Sequence, residues 1–152
     1  MNNTLPLLAN ESDLAARAVA APDGSILIPT PVYYPFLDVP RNAGQTGIQV
    51  PLVRDGNRWV MDFDGLEAAV RPGTRLLLLS NPQNPTGRAY DRAELELLAA
   101  FCLRHRLVVC SDEIHCSLIL DRTARHVPIA SLGPEIAASS ISLFAVTKTY
   151  NI

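Results

Sequence analysis

Short apolar runs alternate with amphipathic segments along this chain. Residues 26–28, 75–80 and 107–111 are apolar runs bounded by polar or proline-containing segments, and runs of this length are typical of buried strands. Residues 47–53 and 141–146 are two further strand candidates. We therefore expect these strands to form the central sheet of the fold.

The segments between the strands carry signals of short helices. Residues 11–21 are rich in alanine and are expected to be helical, as are residues 134–138 just before the last strand. Asp64, with Glu67 three residues later, resembles a capping box that would open a helix ending near residues 72–73.

The clearest unit is a strand, a helix and a second strand. Asp91, with Glu94 three residues later, is expected to cap the helix. One helix face carries apolar residues at helical spacing, namely Leu95, Leu98, Ala99 and Cys102. A right-handed crossover would then make the flanking strands parallel. The predicted fold class is α/β, with a mostly parallel sheet and flanking helices.

Composition and charge limit the possible partners. The 152 residues are 48% hydrophobic and 18% charged, which is enough for one globular domain with its own core. The net charge of −2 favours neither nucleic acid nor an anionic membrane as a partner. The apolar runs are too short to span a bilayer, and the N-terminus lacks the features of a secretory signal. We expect a cytoplasmic protein.

The three cysteines give no metal or disulfide pattern. Cys102, Cys110 and Cys116 lack CxxC spacing, and His115 beside Cys116 does not complete a zinc motif. We expect buried free thiols, as in a reducing compartment, and no bound metal.

A distinctive side chain follows each of four predicted strands. These side chains are, in chain order, Tyr33, Asn84, Asp112 and Lys148. Ligands of open parallel sheets bind beyond the carboxyl ends of the strands, so we predict that the four converge on one site. Each has a plainer alternative when taken alone. Lys148 could be a surface lysine, Asp112 a helix cap, Asn84 a turn residue and Tyr33 a core residue.

Three local motifs resemble those of fold-type-I enzymes that depend on pyridoxal 5′-phosphate (PLP). Residues 80–87 (SNPQNPTG) are similar to their NPxNPTG segment, residues 111–115 (SDEIH) to their strand-end aspartate motif, and residues 147–152 (TKTYNI) to their cofactor-lysine segment. Together with residues 30–36 (TPVYYPF), they look most like the MalY/PatB branch of the class I/II aminotransferase superfamily. The resemblance implies that residues 1–152 are part of the large, PLP-binding domain of an aspartate aminotransferase-like fold, without the small domain.

The resemblance also implies roles for individual residues. Lys148 would hold the cofactor covalently and move the substrate Cα proton as general base and acid. Asp112 would keep the pyridine nitrogen protonated, and the Asn84 amide would donate to the ring 3-oxygen. Tyr33 would stack on the ring, and Thr147 would reach the phosphate.

His115 is left with two interpretations. It falls where aspartate aminotransferases carry a tyrosine that also serves the ring 3-oxygen, so the imidazole could bind the cofactor. A packing role is the alternative.

The implied activity is that of a carbon–sulfur β-lyase. Its substrates would be cystathionine or related cysteine S-conjugates, and its products a thiol, pyruvate and ammonia. A class I/II aminotransferase and a non-catalytic remnant are the alternatives, whereas a nucleotide-binding domain is disfavoured because no GxGxxG or phosphate loop is present. The full-length form would be a homodimer acting on a small amino acid. The isolated 152-residue chain is expected to bind PLP weakly and to show little turnover.

Overall fold

A computed structural model describes residues 11–19 and 23–145 of the chain. The helices are α1 (Glu11–Val19), α2 (Val39–Ala43), α3 (Phe63–Ala69), α4 (Arg92–Arg104) and α5 (Pro134–Ala138). The strands are β1 (Ser25–Thr30), β2 (Thr46–Pro51), β3 (Val53–Asp55), β4 (Arg58–Val60), β5 (Thr74–Ser80), β6 (Val108–Asp112) and β7 (Ser140–Leu143). Two 3₁₀ turns cover Tyr34–Leu37 and Ile129–Leu132.

Five strands form one parallel sheet in the order β2-β1-β5-β6-β7. This confirms the predicted α/β class with a mostly parallel sheet. β3 and β4 add a separate antiparallel hairpin that the apolar pattern does not predict. Because all five main strands are parallel, their carboxyl ends lie along the same edge.

The two faces of the sheet are covered by different helices. One face packs against α3, α4 and α5, and its buried strand residues include Leu27, Leu77, Leu79 and Val109. The opposite face packs against α1 and α2, and its buried strand residues include Ile26, Ile28, Leu76, Leu78 and Cys110. Successive strand residues point to opposite faces, so a strand covered on both sides is apolar throughout.

The cap of α4 is the one predicted. The Asp91 side chain accepts from the Glu94 amide at 3.0 Å, and the Glu94 carboxylate accepts from the Asp91 amide at 3.0 Å. The predicted apolar face is buried, at Leu95, Leu98, Ala99 and Cys102.

The predicted capping box of α3 is wrong. Asp62, and not Asp64, caps this helix, because the Asp62 side chain accepts from the Gly65 amide at 2.9 Å. Glu67 does not reach back to the helix start. Its carboxylate pairs instead with Arg104 and with His105 from α4.

Three other predictions need correction. The predicted strand at residues 47–53 is divided, because β2 ends at Pro51 and Val53 begins β3. β1 does not end at Pro29 but continues to Thr30. Proline is tolerated there because β1 pairs with β5 only as far as Leu27, so the missing N–H of Pro29 costs no hydrogen bond to β5. Cys102 and Cys110 are buried free thiols, but Cys116 is only half-buried, since it lies in the turn after β6. Within residues 11–19 and 23–145, no helix is long and apolar enough to cross a membrane.

Candidate active site

Four predicted site residues lie at the carboxyl-terminal edge of the sheet. Tyr33 follows β1 and Asn84 follows β5, whereas Asp112 ends β6 and His115 lies in the turn after it. These three strands are parallel neighbours in the order β1-β5-β6, so their carboxyl ends meet at one edge. The structure thus places Tyr33, Asn84 and Asp112 at the strand ends where the pattern predicts them, with His115 three residues beyond Asp112.

Tyr33 and Asp112 line the same cavity, which has a volume of about 200 Å³. Its wall also includes Phe36 and, at the end of β7, Leu143. β1 and β6 are not neighbours, because β5 lies between them. The two residues meet because the turn after β1 crosses the edge of the sheet.

The Asp112 carboxylate is held in place but forms no salt bridge with any residue that the structure describes. It accepts a hydrogen bond from the Ile114 amide at 3.1 Å. Burial raises the pKa of Asp112 above its usual value, and the Ile114 N–H and the nearby His115 only partly offset this effect. A positively charged group in the cavity would lower that pKa and stabilise the carboxylate.

Aromatic neighbours fix the position of the Tyr33 ring. Its centroid lies 5.3 Å from that of Tyr34 and 6.5 Å from that of Phe36, both in tilted or edge-on geometry. Phe36 is buried and anchors the group to the core. Tyr33 itself is 38% exposed, so part of the ring is available to a flat ligand in the cavity.

Buried polar side chains hold the loop after β5. Asn81 is fully buried and donates to the Val127 carbonyl at 3.1 Å. Gln83 accepts from the Thr86 amide at 2.8 Å and donates to the Pro31 carbonyl. The loop is therefore tied to the turn after β1 and to the segment before the second 3₁₀ turn.

Asn84 is the polar residue that this loop leaves available. Its backbone amide donates to Ser80 Oγ at 3.2 Å, but its side-chain amide makes no hydrogen bond with any residue that the structure describes. The side chain lines a second cavity of about 880 Å³, together with His115. An amide held by a fixed loop and without a partner is suited to donate to a ligand.

His115 has a buried nitrogen without a partner. Its Nδ1 is shielded from solvent and finds no hydrogen-bond partner among the described residues. Because unpaired buried polar atoms are uncommon, this atom favours the ligand-binding interpretation of His115 over simple packing. The same side chain lies close enough to Asp112 to lower the pKa of that carboxyl.

Thr147 and Lys148 lie outside the described residues. The nearest described residue, Ala145, lines the cavity that contains Tyr33 and Asp112. The chain therefore runs from β7 toward this cavity before it reaches the predicted cofactor lysine.

The described residues fit PLP on three counts. Asp112 offers a buried carboxylate to a protonated ring nitrogen, and Tyr33 offers an aromatic face in the same cavity. Asn84 and His115 offer polar atoms that have no partner among the described residues, at the same edge of the sheet. These residues could hold the ring.

Two features of this edge were missed by the sequence reasoning. Glu113 is fully buried and pairs with His126, thirteen residues away, so no short-range motif marks the pair. Arg58 and Arg88 both line the larger cavity and pair with Glu94. Arg88 directly follows the NPTG sequence, which was a usable signal.

Comparison with known sequences decides the family. The pattern of the family described as "Aminotransferase class I and II" matches residues 9–150. This chain belongs to that family. The assignment confirms the predicted superfamily of PLP-dependent lyases and aminotransferases, whose cofactor is PLP.

Both kinds of enzyme occur among the relatives of this aminotransferase-family chain. It is 34% identical to cystathionine beta-lyase PatB of Bacillus subtilis over 148 residues, covering 97% of the chain and 38% of PatB. It is also 34% identical to the probable N-succinyldiaminopimelate aminotransferase DapC of Mycobacterium tuberculosis over 137 residues, covering 90% of the chain and 34% of DapC.

A solved relative has the same fold and contains the cofactor. Cystalysin from Treponema denticola, whose crystal structure contains PLP, superposes with a TM-score of 0.85 at 30% identity. The match covers 95% of this chain and 37% of cystalysin. The chain thus spans little more than a third of the length of the relatives that it matches.

Proposed function

We propose that this chain forms the cofactor-binding edge of a PLP-dependent carbon–sulfur β-lyase that acts on cystathionine or related cysteine S-conjugates. The observation that carries the proposal is the cavity shared by Tyr33 and Asp112, with Asn84 and His115 lining a second cavity at the same edge of the sheet. The preference for a lyase is supported by the similarity to PatB, which extends over 97% of the chain.

Each residue has a defined task in this proposal. When bound, PLP supplies the electron sink that makes the Cα–H bond of an amino-acid substrate acidic. Asp112 keeps the ring nitrogen protonated, Asn84 and His115 donate to the ring 3-oxygen, and Tyr33 covers one ring face. Thr147 donates to the phosphate.

Lys148 would bind the cofactor and would then transfer the substrate Cα proton. With substrate bound, its free amine would accept the Cα proton as general base and would return a proton as general acid. Loss of the Cα proton is followed by cleavage of the Cβ–S bond. The thiolate leaves with the bonding electron pair and is protonated, and hydrolysis of the three-carbon remainder gives pyruvate and ammonia.

Residues 1–152 would then be part of the large domain of a homodimeric, cytoplasmic enzyme. Two apolar side chains near the site edge, Tyr34 at 73% and Leu120 at 92% exposure, are of the kind that a further domain or a second subunit covers. Free buried thiols at Cys102 and Cys110 are compatible with a reducing compartment. Because most of the length of the relatives lies outside this chain, we expect it to bind PLP weakly and to turn over slowly.

An aminotransferase is the second candidate, supported by the similarity to DapC. The same Cα proton would be removed, but a proton would return to the cofactor carbon and an α-keto acid would be needed as acceptor. The described residues serve both reactions equally.

The test is release of pyruvate from L-cystathionine by the chain with added PLP, measured with and without an α-keto acid. We expect slow release that needs no acceptor and disappears in Lys148→Ala. Conversion of the added α-keto acid to its amino acid, without release of pyruvate, would assign the chain to the aminotransferases. Neither product, with PLP still bound, would indicate a non-catalytic remnant.

A further inference from the structure

The residue after Asp112 is a fully buried carboxylate that the proposed reaction does not use. Glu113 is 0% exposed. Its Oε2 lies 2.8 Å from His126 Nε2, within hydrogen-bond distance. Its Oε1 accepts from Ser142 Oγ at 3.3 Å and, more weakly, from the Ile129 amide at 3.4 Å.

Glu113 lies on the face of the sheet opposite the candidate site. Successive strand residues point to opposite faces, and Asp112 lines the cavity that contains Tyr33. Glu113 instead contacts the segment that begins the second 3₁₀ turn, where Ile129 belongs to the core on the α4 side. It therefore does not touch a ligand in the cavity.

The contacts of Glu113 join the segments that carry the site residues. The Glu113 amide donates to the Leu143 carbonyl at 2.9 Å, and its side chain holds Ser142, so both ends of the residue fix β7 beside β6. In this register Leu143 lies opposite Asp112. The chain leaves this point toward Lys148, five residues after Leu143.

The partner of Glu113 reaches the Asn84 loop as well. Val127 follows His126 in the chain, and its carbonyl accepts from the side-chain amide of Asn81. The backbone N–H of Asn81 donates to the Asp112 carbonyl at 3.0 Å. Among the described residues, the imidazole of His126 has no hydrogen-bond partner on its other nitrogen, so Glu113 alone orients it. A buried carboxylate that lost this partner would be an uncompensated charge.

We propose that Glu113 and His126 form a positioning pair that holds Asp112, the Asn84 loop and the strand leading to Lys148 in the relative arrangement that PLP requires. The inference rests on the proposed function for its cofactor. The pair acts through these segments and is not itself catalytic.

The first part of the test needs no cofactor. In Glu113→Gln, amide hydrogen exchange should accelerate at Glu113 and Asn81, whose N–H groups join β6 to β7 and to the loop after β5. The matched control is Glu67→Gln, because Glu67 also pairs with a histidine, His105, at 2.7 Å but joins α3 to α4. Exchange at Glu113 and Asn81 should be unchanged in that control. Equal exchange in wild type and Glu113→Gln would overturn the positioning role.

The second part asks whether the pair matters to the cofactor. PLP titration followed by absorbance should give an affinity about tenfold lower in Glu113→Gln and in His126→Gln, a loss of the size expected for a broken charge-assisted contact. The double variant should lose no more than either single variant, because the two residues act as a unit. His126→Gln leaves Glu113 in place and serves where Glu113→Gln does not fold.

A third variant tests whether lower stability alone reduces the affinity for PLP. Leu98→Ala opens a cavity in the core beside α4 and should lower the urea midpoint, but it removes none of the hydrogen bonds of Glu113 and His126. We expect its PLP affinity, measured on folded protein, to match the wild type. A tenfold loss in Leu98→Ala as well, or additive losses in the double variant, would contradict the inference. If the wild-type chain binds no PLP, the proposed function fails, and the exchange result still decides whether Glu113 holds these segments.

Discussion

Among the described residues, Asp112 has the environment that most clearly favours a positively charged ligand group. Burial raises the pKa of its carboxyl, and the Ile114 N–H offsets this only in part. The folded chain therefore keeps this proton to a higher pH than the unfolded chain. The stability that the protonated form contributes is complete at acid pH and is lost as the pH rises through the raised pKa.

Asp112→Asn should consequently separate stability from cofactor binding. Asparagine cannot ionise, so the free energy of unfolding of the cofactor-free variant should lack the fall with rising pH and should exceed the wild-type value at neutral pH. PLP affinity should drop by about tenfold or more, because a charge-assisted bond to the ring nitrogen is lost. Urea titrations across acid to neutral pH and PLP titrations measure the two effects.

The control for this substitution is Asp121→Asn. Asp121 is fully exposed, and hydrogen bonds from Thr123 lower the pKa of its carboxyl, so its contribution has the opposite sign. A neutral-pH stability of Asp112→Asn below that of wild type, with PLP affinity unchanged, would refute the account of Asp112.

At the level of elements, the sequence predicts best where a periodic pattern and a local cap agree. α4 is foreseen with its cap at Asp91 and its buried face, because both signals lie within one segment. A helix is correctly expected at α3, but it ends at Ala69 and not near residues 72–73. Its cap is also different, because Asp62 takes the capping position and the Glu67 carboxylate pairs with Arg104 and His105. A capping-box motif therefore identifies only a candidate cap, because the sequence does not show the distant residues that compete for its side chains.

The β3–β4 hairpin is a missed element with an available signal. Asp55 pairs with Arg58 across a two-residue turn, and Gly56 has φ +56°, which favours glycine. Its strands are mostly exposed and lack an apolar run, so a search for buried strands passes over them. Turn chemistry, and not hydrophobicity, identifies this hairpin.

The corrected cap of α3 gives a stability prediction. Asp62→Ala should lower the free energy of unfolding by about 1 kcal/mol, whereas Asp64→Ala should change it by less than about 0.5 kcal/mol. Asp91→Ala, which removes the cap of α4, provides a positive reference of similar size to Asp62→Ala. Urea denaturation measures all three. A larger loss for Asp64→Ala than for Asp62→Ala would restore the capping box inferred from the sequence.

For the whole molecule, the topology explains which site residues the sequence can predict and which it cannot. A parallel sheet brings the ends of β1, β5 and β6 to one edge, so residue type at strand ends predicts Tyr33, Asn84 and Asp112. The division of these residues between two cavities depends on side-chain packing. The buried pair of Glu113 and His126 depends on a long-range contact, which no local pattern reveals.

The central claim concerns Lys148, the one lysine in the sequence. Its place in the sequence five residues after β7 and the fit of the described residues to PLP together predict that this amine binds the cofactor aldehyde. A lysine that reacts only by chance should behave like any exposed lysine. Arg122→Lys provides such a reference, because residue 122 is exposed in a turn and does not itself line either cavity.

The most direct measurement is borohydride reduction of the Arg122→Lys chain with stoichiometric PLP, followed by digestion and mass spectrometry. We expect the phosphopyridoxyl label on the peptide containing Lys148 in large excess over the peptide containing residue 122, and loss of that excess when Asp112→Asn is added. Equal labelling of the two peptides, or labelling of Lys148 that does not depend on Asp112, would contradict a PLP site at this edge of the sheet.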